Sequence, residues 1–515
     1  MLEIALSQCV QGVTNGEHGT IFQARDLFSI PNRKAGETMH IKKYDFDYSR
    51  RHFMEKTAKG AGSAGVLGAL FPLMAKEGDH YNAYPEELTD IEAYTKGKVK
   101  VGDIISKDNV ELVQDLIDPA LYIEVSQDDR TFSILPTQTK IEQQFPPYYL
   151  DATLKNWGRA KFGPDGNVYT DDGSPWIGGH PFPDPQTPEE VQANVVLSWG
   201  RHDQDTFAIP CQALDPQGNV QYDYDFVWAQ QQTTGLVHPM SADGATMVPG
   251  KEEMLRYQSV WFMSPNDVKG TAFMNEWYND QARFPELYGY LPAFKRVRRF
   301  PTNQRFEPLV AGINLFLSDA WAAGDPMLTW GNWKIIHRGP MLGSMHHNWR
   351  ADQDNWSHPT VGGPAGNTYY DVGKSLIPEV IVLEGEPTGF PRAPLSKRRV
   401  YFDARNIEYP QAISYDRRGE LWKTFEPGFS QYNYEDPESA SVRPGAAGQR
   451  VNASDGRPEW SWNWVISNYL QSKRVTRFYQ GEKVQGGWKS NYDQETASDF
   501  ISNYMTKSAM RRLGT

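Results

Sequence analysis

Cysteine is nearly absent from this chain. Its 515 residues include only Cys9 and Cys211, so neither a disulfide framework nor a C-x-x-C metal or redox pair is available. Neither cysteine stands in a lipobox, and Cys9 follows Gln8 rather than a small residue, which argues against a lipid anchor. Long hydrophobic runs are missing too. The most sustained weakly apolar stretch, Ala61 to Ala75, falls short of the roughly 20 residues that a membrane helix needs. Positive charge is in deficit: 52 Lys and Arg stand against 64 Asp and Glu, a net charge of −12. Such a surface repels phosphate backbones, which excludes nucleic acid as a partner. The nucleophile elbow G-x-S-x-G, the phosphate loop and the zinc-binding H-E-x-x-H are absent, and no spacing of acids singles out a general acid–base pair. Aromatic residues, by contrast, are abundant. Trp, Tyr and Phe make up 13% of the chain and favour strands and broad apolar surfaces.

Ahead of the weakly apolar stretch stands Ser49-Arg50-Arg51-His52-Phe53. Two adjacent arginines, a phenylalanine two places on and an apolar segment behind them read as a twin-arginine export signal. The alternative is a short buried helix after a basic turn. The residues before Met39 show no periodicity, and a start at Met39 gives the arginine pair a normal n-region. The expected organisation is therefore an upstream extension over 1–38 and a signal peptide over 39–75. A helical and loop segment follows over 76–190, and a curved antiparallel β domain over 191–515. Without residues 1–75 the chain loses 9 basic and 7 acidic residues, so its net charge falls to −14, and Cys211 has no intrachain partner.

Between Tyr84 and Leu121 the pattern is helical. Pro85-Glu86-Glu87-Leu88 reads as a first turn, Asp108 with Glu111 as a capping box, and Pro119 as the end of that helix. Turns and short extended pieces fill Arg130 to Trp176. From Val191 the period becomes two. Asp215-Pro216-Gln217-Gly218 is a type I turn leading into a strand from Val220 to Trp228. There Val220, Tyr222, Tyr224, Phe226 and Trp228 share one face, while Gln221, Asp223 and Asp225 share the other. Further strands are expected over Leu255–Met263, Thr271–Tyr278, Lys295–Phe300, Trp333–Arg338, Val380–Leu383 and Arg399–Asp403. Tyr409–Tyr415 and Glu420–Phe425 are joined by a second turn, Asp416-Arg417-Arg418-Gly419. Closely spaced strands without crossover helices predict one large antiparallel sheet, curled or barrel-like. The apolar stretch Leu309 to Ala323 is expected to be a helix lying on it. Loops over 343–373 and 436–458 are long enough to act as lids or partner surfaces.

Six separated segments resemble a known bacterial family, domain of unknown function 1329, itself described as similar to the outer-membrane lipoprotein carriers LolA and LolB. They are Gly178-Gly179-His180-Pro181-Phe182-Pro183-Asp184-Pro185, Trp199 with Arg201-His202, Tyr290 to Arg299, Trp333-Lys334-Ile335-Ile336, Arg399-Val400-Tyr401-Phe402-Asp403, and Tyr415 to Trp422. The closing segment Phe500 to Gly514 is similar as well. The chain departs from the family pattern at Trp199-Gly200, where an asparagine is usual, and at Gly331-Asn332-Trp333, where an aspartate usually precedes the tryptophan. The resemblance implies a mainly β fold: a curved antiparallel sheet, part-closed like a split barrel, with helices on its concave side. It also implies a periplasmic carrier or transporter accessory, linked to resistance-nodulation-division transporters and an outer-membrane protein.

The aromatic faces, Tyr222, Tyr224, Phe226 and Trp228 with Trp261, Trp277 and Trp333, are the candidate lining for a hydrophobic ligand. They are equally the material of a packed sheet core. Arg296, Arg298 and Arg299, beside Lys295, form a basic cluster suited to an anionic headgroup or an acidic partner, or to salt bridges with the many acids. His337, His346, His347 and His358 are the only metal-like concentration. Adjacent His346 and His347 on an extended chain point to opposite sides, so no metal site is assigned, and no cofactor is expected. The reading is a non-catalytic periplasmic carrier of a lipid-, sterol- or aromatic-like molecule. A cofactor- or metal-dependent enzyme exported in folded form, and a structural envelope component, are the alternatives.

Overall fold

The turn at Asp215 is built as its sequence requires. Gly218 N–H closes onto Asp215 O at 3.0 Å, and the Asp215 carboxylate accepts from Gln217 and Asn219 N–H. Glycine takes the left-handed corner at φ 82°, which costs it nothing sterically. Asp416 and Gly419 repeat the design at the second turn, with a 2.9 Å closure. In this computed structural model, which describes residues 84, 86–198, 200–241, 244–319, 325–345, 349, 358–432 and 453–514, such turns link strands into two meanders. Arg50, Arg51, Phe53, His346 and His347 lie outside the described residues.

The first meander runs β1 (Gln204–Leu214), β2 (Val220–Gln232), β3 (Met254–Ser264), β4 (Ala272–Tyr278), β5 (Glu286–Leu291) and β6 (Arg296–Phe300). The second runs β7 (Gly331–Gly343), β8 (Lys374–Glu386), β9 (Leu395–Asp403), β10 (Gln411–Asp416), β11 (Leu421–Gln431), β12 (Trp460–Tyr469) and β13 (Arg474–Tyr479). All neighbours within each meander are antiparallel, and β13 pairs with β1, so the second meander ends against the start of the first. The fold is mainly β with few helices. The sheet is not closed into a barrel: β6 lies at one end of it, and β7 pairs only with β8. A short strand, Phe132–Leu135, adds to β8 in parallel and carries Ile104–Ile105 on its other side.

Register separates two faces. Phe207, Trp228 and Val260 are in line across β1, β2 and β3, as are Ile209 with Phe226, and Phe226 with Phe262. The opposite face carries Ala208, Val227 and Trp261. Gln221 and Asp223 are exposed as expected of the wet face of β2, but Val220, expected on the dry face, is exposed as well. From Phe226 onward both faces are buried, because chain segments cover the sheet on each side.

The first face is crossed by the segment between β6 and β7, described over residues 301–319 and 325–330. Its turns are held by polar contacts with the strands. Arg305 reaches Asn275 on β4, Ala311 O accepts from Tyr224 on β2, and Asn314 bonds Thr476 Oγ1 and Arg474 O on β13. Asp319 pairs with Lys423 on β11 and Arg398 on β9. The helix expected over Leu309–Ala323 is not formed in its described part. That part is irregular, with a single bridge between Pro308 and Phe316, since Ala311, Asn314 and Asp319 are bonded to the sheet rather than within a helix.

Other differences have local causes. Pro119 begins a helix, α1 (Pro119–Gln127), rather than ending one. Asp118 caps it, accepting from Ala120 and Leu121 N–H, and proline suits the first helical position. Val110–Leu116 is a 3-10 helix without the Asp108 capping box; Asn109 instead bonds Ser106 N and Ile104 O. Val191 lies in α3 (Pro188–Val196), whose Thr187–Glu190 capping box overrides the alternating pattern. Between these lies α2 (Pro147–Lys155). Residues 88–134 pack with Leu342 and Leu376, and their ion pairs reach the second face. Arg130 holds Glu124 at 2.5 Å and Glu426 of β11 at 2.6 Å, while Lys374 of β8 pairs with the same Glu426. The chain ends in α4 (Ala497–Tyr504) and α5 (Lys507–Leu513), both capped by threonine, which pack Phe500, Ile501 and Met510 against Trp261 and Met274. Helices α1, α4 and α5 therefore lie on the second face of the sheet. No described helix is long and apolar enough to cross a membrane.

Candidate functional site

The aromatic residues of the candidate lining do not form one surface. Tyr222 and Tyr224 stack at 5.7 Å under Ala311 and Gly312, and Phe226 packs on Phe262 and Phe478. Trp228 is buried among them. Trp277 donates to Gln258 at 2.8 Å and has the guanidinium groups of Arg256 and Arg305 over its ring at 4.2 and 5.1 Å. Trp261 belongs to the opposite face, because it is in register with Val227. Trp333 sits near the β7 edge, stacked on Trp330. Beside Trp330, Trp333 and Arg398 the remaining space is about 10 Å³, too little for a ligand.

Two of the family-like segments, Gly178–Pro185 and Arg201-His202, meet at a buried centre where α2 meets β1 and the β9–β10 turn. Gly178 and Gly179 have φ of 107° and 75°, and a Cβ on Gly179 would collide with the Thr153 backbone of α2. This close approach puts His180 between Tyr149, whose hydroxyl donates to Nδ1 at 3.2 Å, and Asn406 O, which accepts from Nε2 at 2.9 Å. Burial first, and then the charge of Arg201, hold His180 well below the usual histidine range, so it is neutral. Arg201 pairs with Glu408 at 3.0 Å, with the rings of Phe145, Tyr149 and Trp460 within 6 Å of its guanidinium. Its neighbour His202 places Nε2 2.9 Å from Glu459 and Nδ1 3.2 Å from Asp205. Burial opposes its charge, but these two carboxylates outweigh burial and raise His202 well above the usual range. Next to the centre, Phe207, Tyr409, Phe425, Phe429, Trp460 and Trp462 line a recess of about 30 Å³, the size of one water.

Burial raises Glu408 to about 7, with Arg201 pulling the other way. A raised folded value means that protonation favours the folded state. The contribution is full below the unfolded value near 4.5 and is lost as pH rises through 7. Glu408→Gln should therefore flatten the decline in stability between about pH 4.5 and 7, a difference of up to about 3 kcal/mol. Urea denaturation at stepped pH measures it. A variant with the wild-type slope refutes the assignment.

Space of ligand size lies elsewhere. A half-open groove of about 600 Å³ runs between the β3–β4 turn, α4 and α5, lined by Phe262, Met263, Trp488, Tyr504 and Leu513, with Lys269, Asn503 and Arg512 at its polar margin. Trp261 forms the layer beneath: Tyr504 stacks on it at 6.0 Å and Trp488 meets it edge-on at 4.9 Å. A second cleft, about 460 Å³, lies between Asp165, Tyr169, Trp176, Asn279 and Asp280 and is more acidic at its mouth. Sequence reasoning overlooked the groove. Its signal was the amphipathic close of the chain, with Phe500, Ile501, Tyr504 and Leu513 at helical spacing behind a Thr496–Asp499 cap.

The remaining candidates stay apart. Arg296, Arg298 and Arg299 are exposed on edge strand β6. Arg299 pairs with Glu286, and Arg298 lies 4.9 Å over the Phe294 ring. His337 is on β7, whereas His358 stacks on Trp349 and bonds Asp371 O. Among the described residues no group of three or more His, Cys, Asp or Glu is arranged to hold a metal. Cys211 is buried in β1, which pushes its thiol above the usual range.

Among solved structures, a domain described as an outer membrane lipoprotein-sorting protein from Vibrio parahaemolyticus is 16% identical, with a TM-score of 0.35 over 60% of this chain and 92% of that one. A DUF1329 family protein from Desulfovibrio piger is 14% identical, with a TM-score of 0.36 over the same shares. A LolA superfamily protein from Nitrosomonas europaea is 11% identical, with a TM-score of 0.31 over 57% of this chain and 91% of that one. No curated protein matches. The family model for DUF1329, protein of unknown function, matches residues 104–511, from the short strand Ile104–Ile105 to within α5. The chain belongs to the DUF1329 family.

Proposed function

We propose that the protein is a non-catalytic carrier of a hydrophobic molecule in the periplasm, and that the groove beneath α4 and α5 holds that molecule. One observation carries the reading: a cavity of about 600 Å³ whose floor is Met263, Trp488, Tyr504 and Leu513. Pockets that bury small apolar ligands fall in this size range and are lined in this way. Met263, Trp488, Tyr504 and Leu513 are each only half-buried, so a guest removes apolar surface that the fold leaves wet. Each fully covered side chain of this size gains about 1.5–3 kcal/mol relative to exposure.

The periplasmic setting rests on the leader expected at Arg50 and Arg51. A transporter or outer-membrane partner rests on the resemblance to the carriers. Arg296, Arg298 and Arg299, on the strand against which α5 packs, offer such a partner, or a headgroup, a basic surface.

The protein purified from its native envelope should release a stoichiometric hydrophobic compound on solvent extraction, detected by mass spectrometry. Leu513→Asp, which sets a charge in the groove, should lower the recovered amount at least about tenfold. Recovery of no such compound, together with no calorimetric binding of alkyl probes, would overturn the reading.

A further inference from the structure

The second cleft, of about 460 Å³, joins apolar walls to an anionic mouth. Val168, Trp176, Leu197 and Leu255 line it and are buried. The Trp176 N–H is spent on Gly179 O, so its ring meets the cleft as carbon surface. The mouth is set by the turn between the short strands Ala160–Phe162 and Val168–Thr170, and by the residues that follow β4. Asn167 is buried between them. Its Nδ2 donates to Asp165 Oδ2 at 2.8 Å and to Asp280 Oδ1 at 3.3 Å, and its Oδ1 accepts from Gln281 N–H at 2.8 Å. Two carboxylates that share one donor nitrogen lie close enough for one ammonium group to reach both. The Tyr169 hydroxyl donates to Asp165 at 2.7 Å. Hydrogen bonds from Asn167 and Tyr169 hold the Asp165 carboxyl below the usual carboxylate range, so it is ionised at neutral pH. Every donor that the two carboxylates meet among the described residues is neutral. The cations on these elements are turned elsewhere: Arg159 and Lys161 to Asp171, and Arg283 to the Tyr278 ring at 3.5 Å.

We propose that this cleft is a binding site for a small organic cation. Its ammonium group is received by Asp165 and Asp280, and its apolar body lies against Tyr169, Pro175, Trp176 and Leu255. The site is separate from the groove beneath α4 and α5, and it does not depend on the carrier reading. An anion is repelled by the two carboxylates. A neutral apolar guest covers the walls but leaves the carboxylates repelling each other. A metal ion leaves the walls wet, and among the described residues no group of three or more His, Cys, Asp or Glu is arranged to hold one. An organic cation answers both the charge and the apolar surface. The rings of Tyr169 and Trp176 add to this, since a cation within about 6 Å of an aromatic centroid is drawn to the ring face. Leu328, exposed and seated against Gly166 of the same turn, extends the apolar surface at the mouth.

Calorimetric titration of the full chain at neutral pH and low salt tests the site. The probes are phenethylamine, its neutral analogue 2-phenylethanol, the bare cation methylamine, and calcium. The proteins are the wild type, the double variant Asp165→Asn/Asp280→Asn, and Leu513→Asp in the groove. Phenethylamine should bind the wild type at least about tenfold more tightly than 2-phenylethanol or methylamine. That gap should close in the double variant and persist in Leu513→Asp. Equal affinity for phenethylamine and 2-phenylethanol, or no binding of phenethylamine, overturns the proposal. Binding that the double variant keeps and Leu513→Asp loses assigns the amine to the groove and overturns it too. Calcium bound more tightly than phenethylamine, and lost in the double variant, makes the pair a metal site instead. Asparagine keeps the size of aspartate and accepts from the same donors, and both positions are exposed. Equal urea midpoints for wild type and double variant confirm that loss of fold does not imitate loss of binding.

Discussion

Arg305→Ala should destabilise the protein by about 3–5 kcal/mol, the cost of leaving a buried carboxylate without its cation. The guanidinium is buried. Its Nε bonds Asp325 at 2.7 Å, its Nη1 bonds Asn275 of β4 at 2.8 Å, and Trp277 lies beneath it. Asp325 also accepts from Ser318 and from Trp330 Nε1, so one arginine ties both ends of the crossing segment to the sheet. Alanine removes the charge, leaves a cavity over Trp277 and frees the segment's strongest anchor on the first meander. The loss should appear in urea denaturation as a lower midpoint. Arg305→Lys should rescue only part of it, because a point charge does not reproduce the fork that reaches Asp325 and Asn275 together. A change below about 1 kcal/mol would mean that the segment is held by packing alone.

The second large effect is expected at Arg130. This residue joins the N-terminal part of the chain to β11, with Glu124 on one side and Glu426 on the other. Burial works against the charge of Glu426, but Arg130 and Lys374 outweigh it and hold the carboxyl at about 2. A depressed folded value stabilises above the unfolded value near 4.5, and the contribution is lost as pH falls toward 2. Arg130→Met should therefore cost about 3–5 kcal/mol at neutral pH and less in acid, where the abandoned carboxylates take up protons. The variant's deficit should shrink as pH falls from 5 to 3 in the same denaturation experiment. A deficit that is independent of pH would show that Arg130 acts through its shape and not its charge.

Much of this architecture is legible in the sequence where the signal is local. The Asp-x-x-Gly turns at Asp215 and Asp416 fix their hairpins within four residues, and the alternation from Val220 fixes the face of Tyr224, Phe226 and Trp228. Long-range pairing is not written locally. Trp261 reads like the other aromatics, yet its face follows from the β2–β3 register, which sets it opposite Val227. The stretch Leu309 to Ala323 has the composition of a helix, and only the sheet beneath it takes up its hydrogen bonds in other ways. Strands β12 and β13 have no turn signal before them as clear as that at Asp215, and Val191 carried a period of two into a helix that its Thr187 cap decides. The groove was invisible for the same reason. Met263, Trp488 and Leu513 are far apart in sequence, and none is unusual until the chain closes.

The pairing of β13 with β1 carries a consequence for how the molecule is made. Arg477 bonds Gln212 across 265 positions of sequence. The β1 edge therefore waits, unpaired, until nearly the whole chain has been synthesised. Contacts of such separation slow folding, since loop closure has to occur before the pairing stabilises it. Through that interval β1 presents a row of open amides and carbonyls to any other extended chain. The nascent protein is thus most prone to aggregation before its last strand arrives, and a chaperone holding the first meander would shield the edge that β13 later occupies.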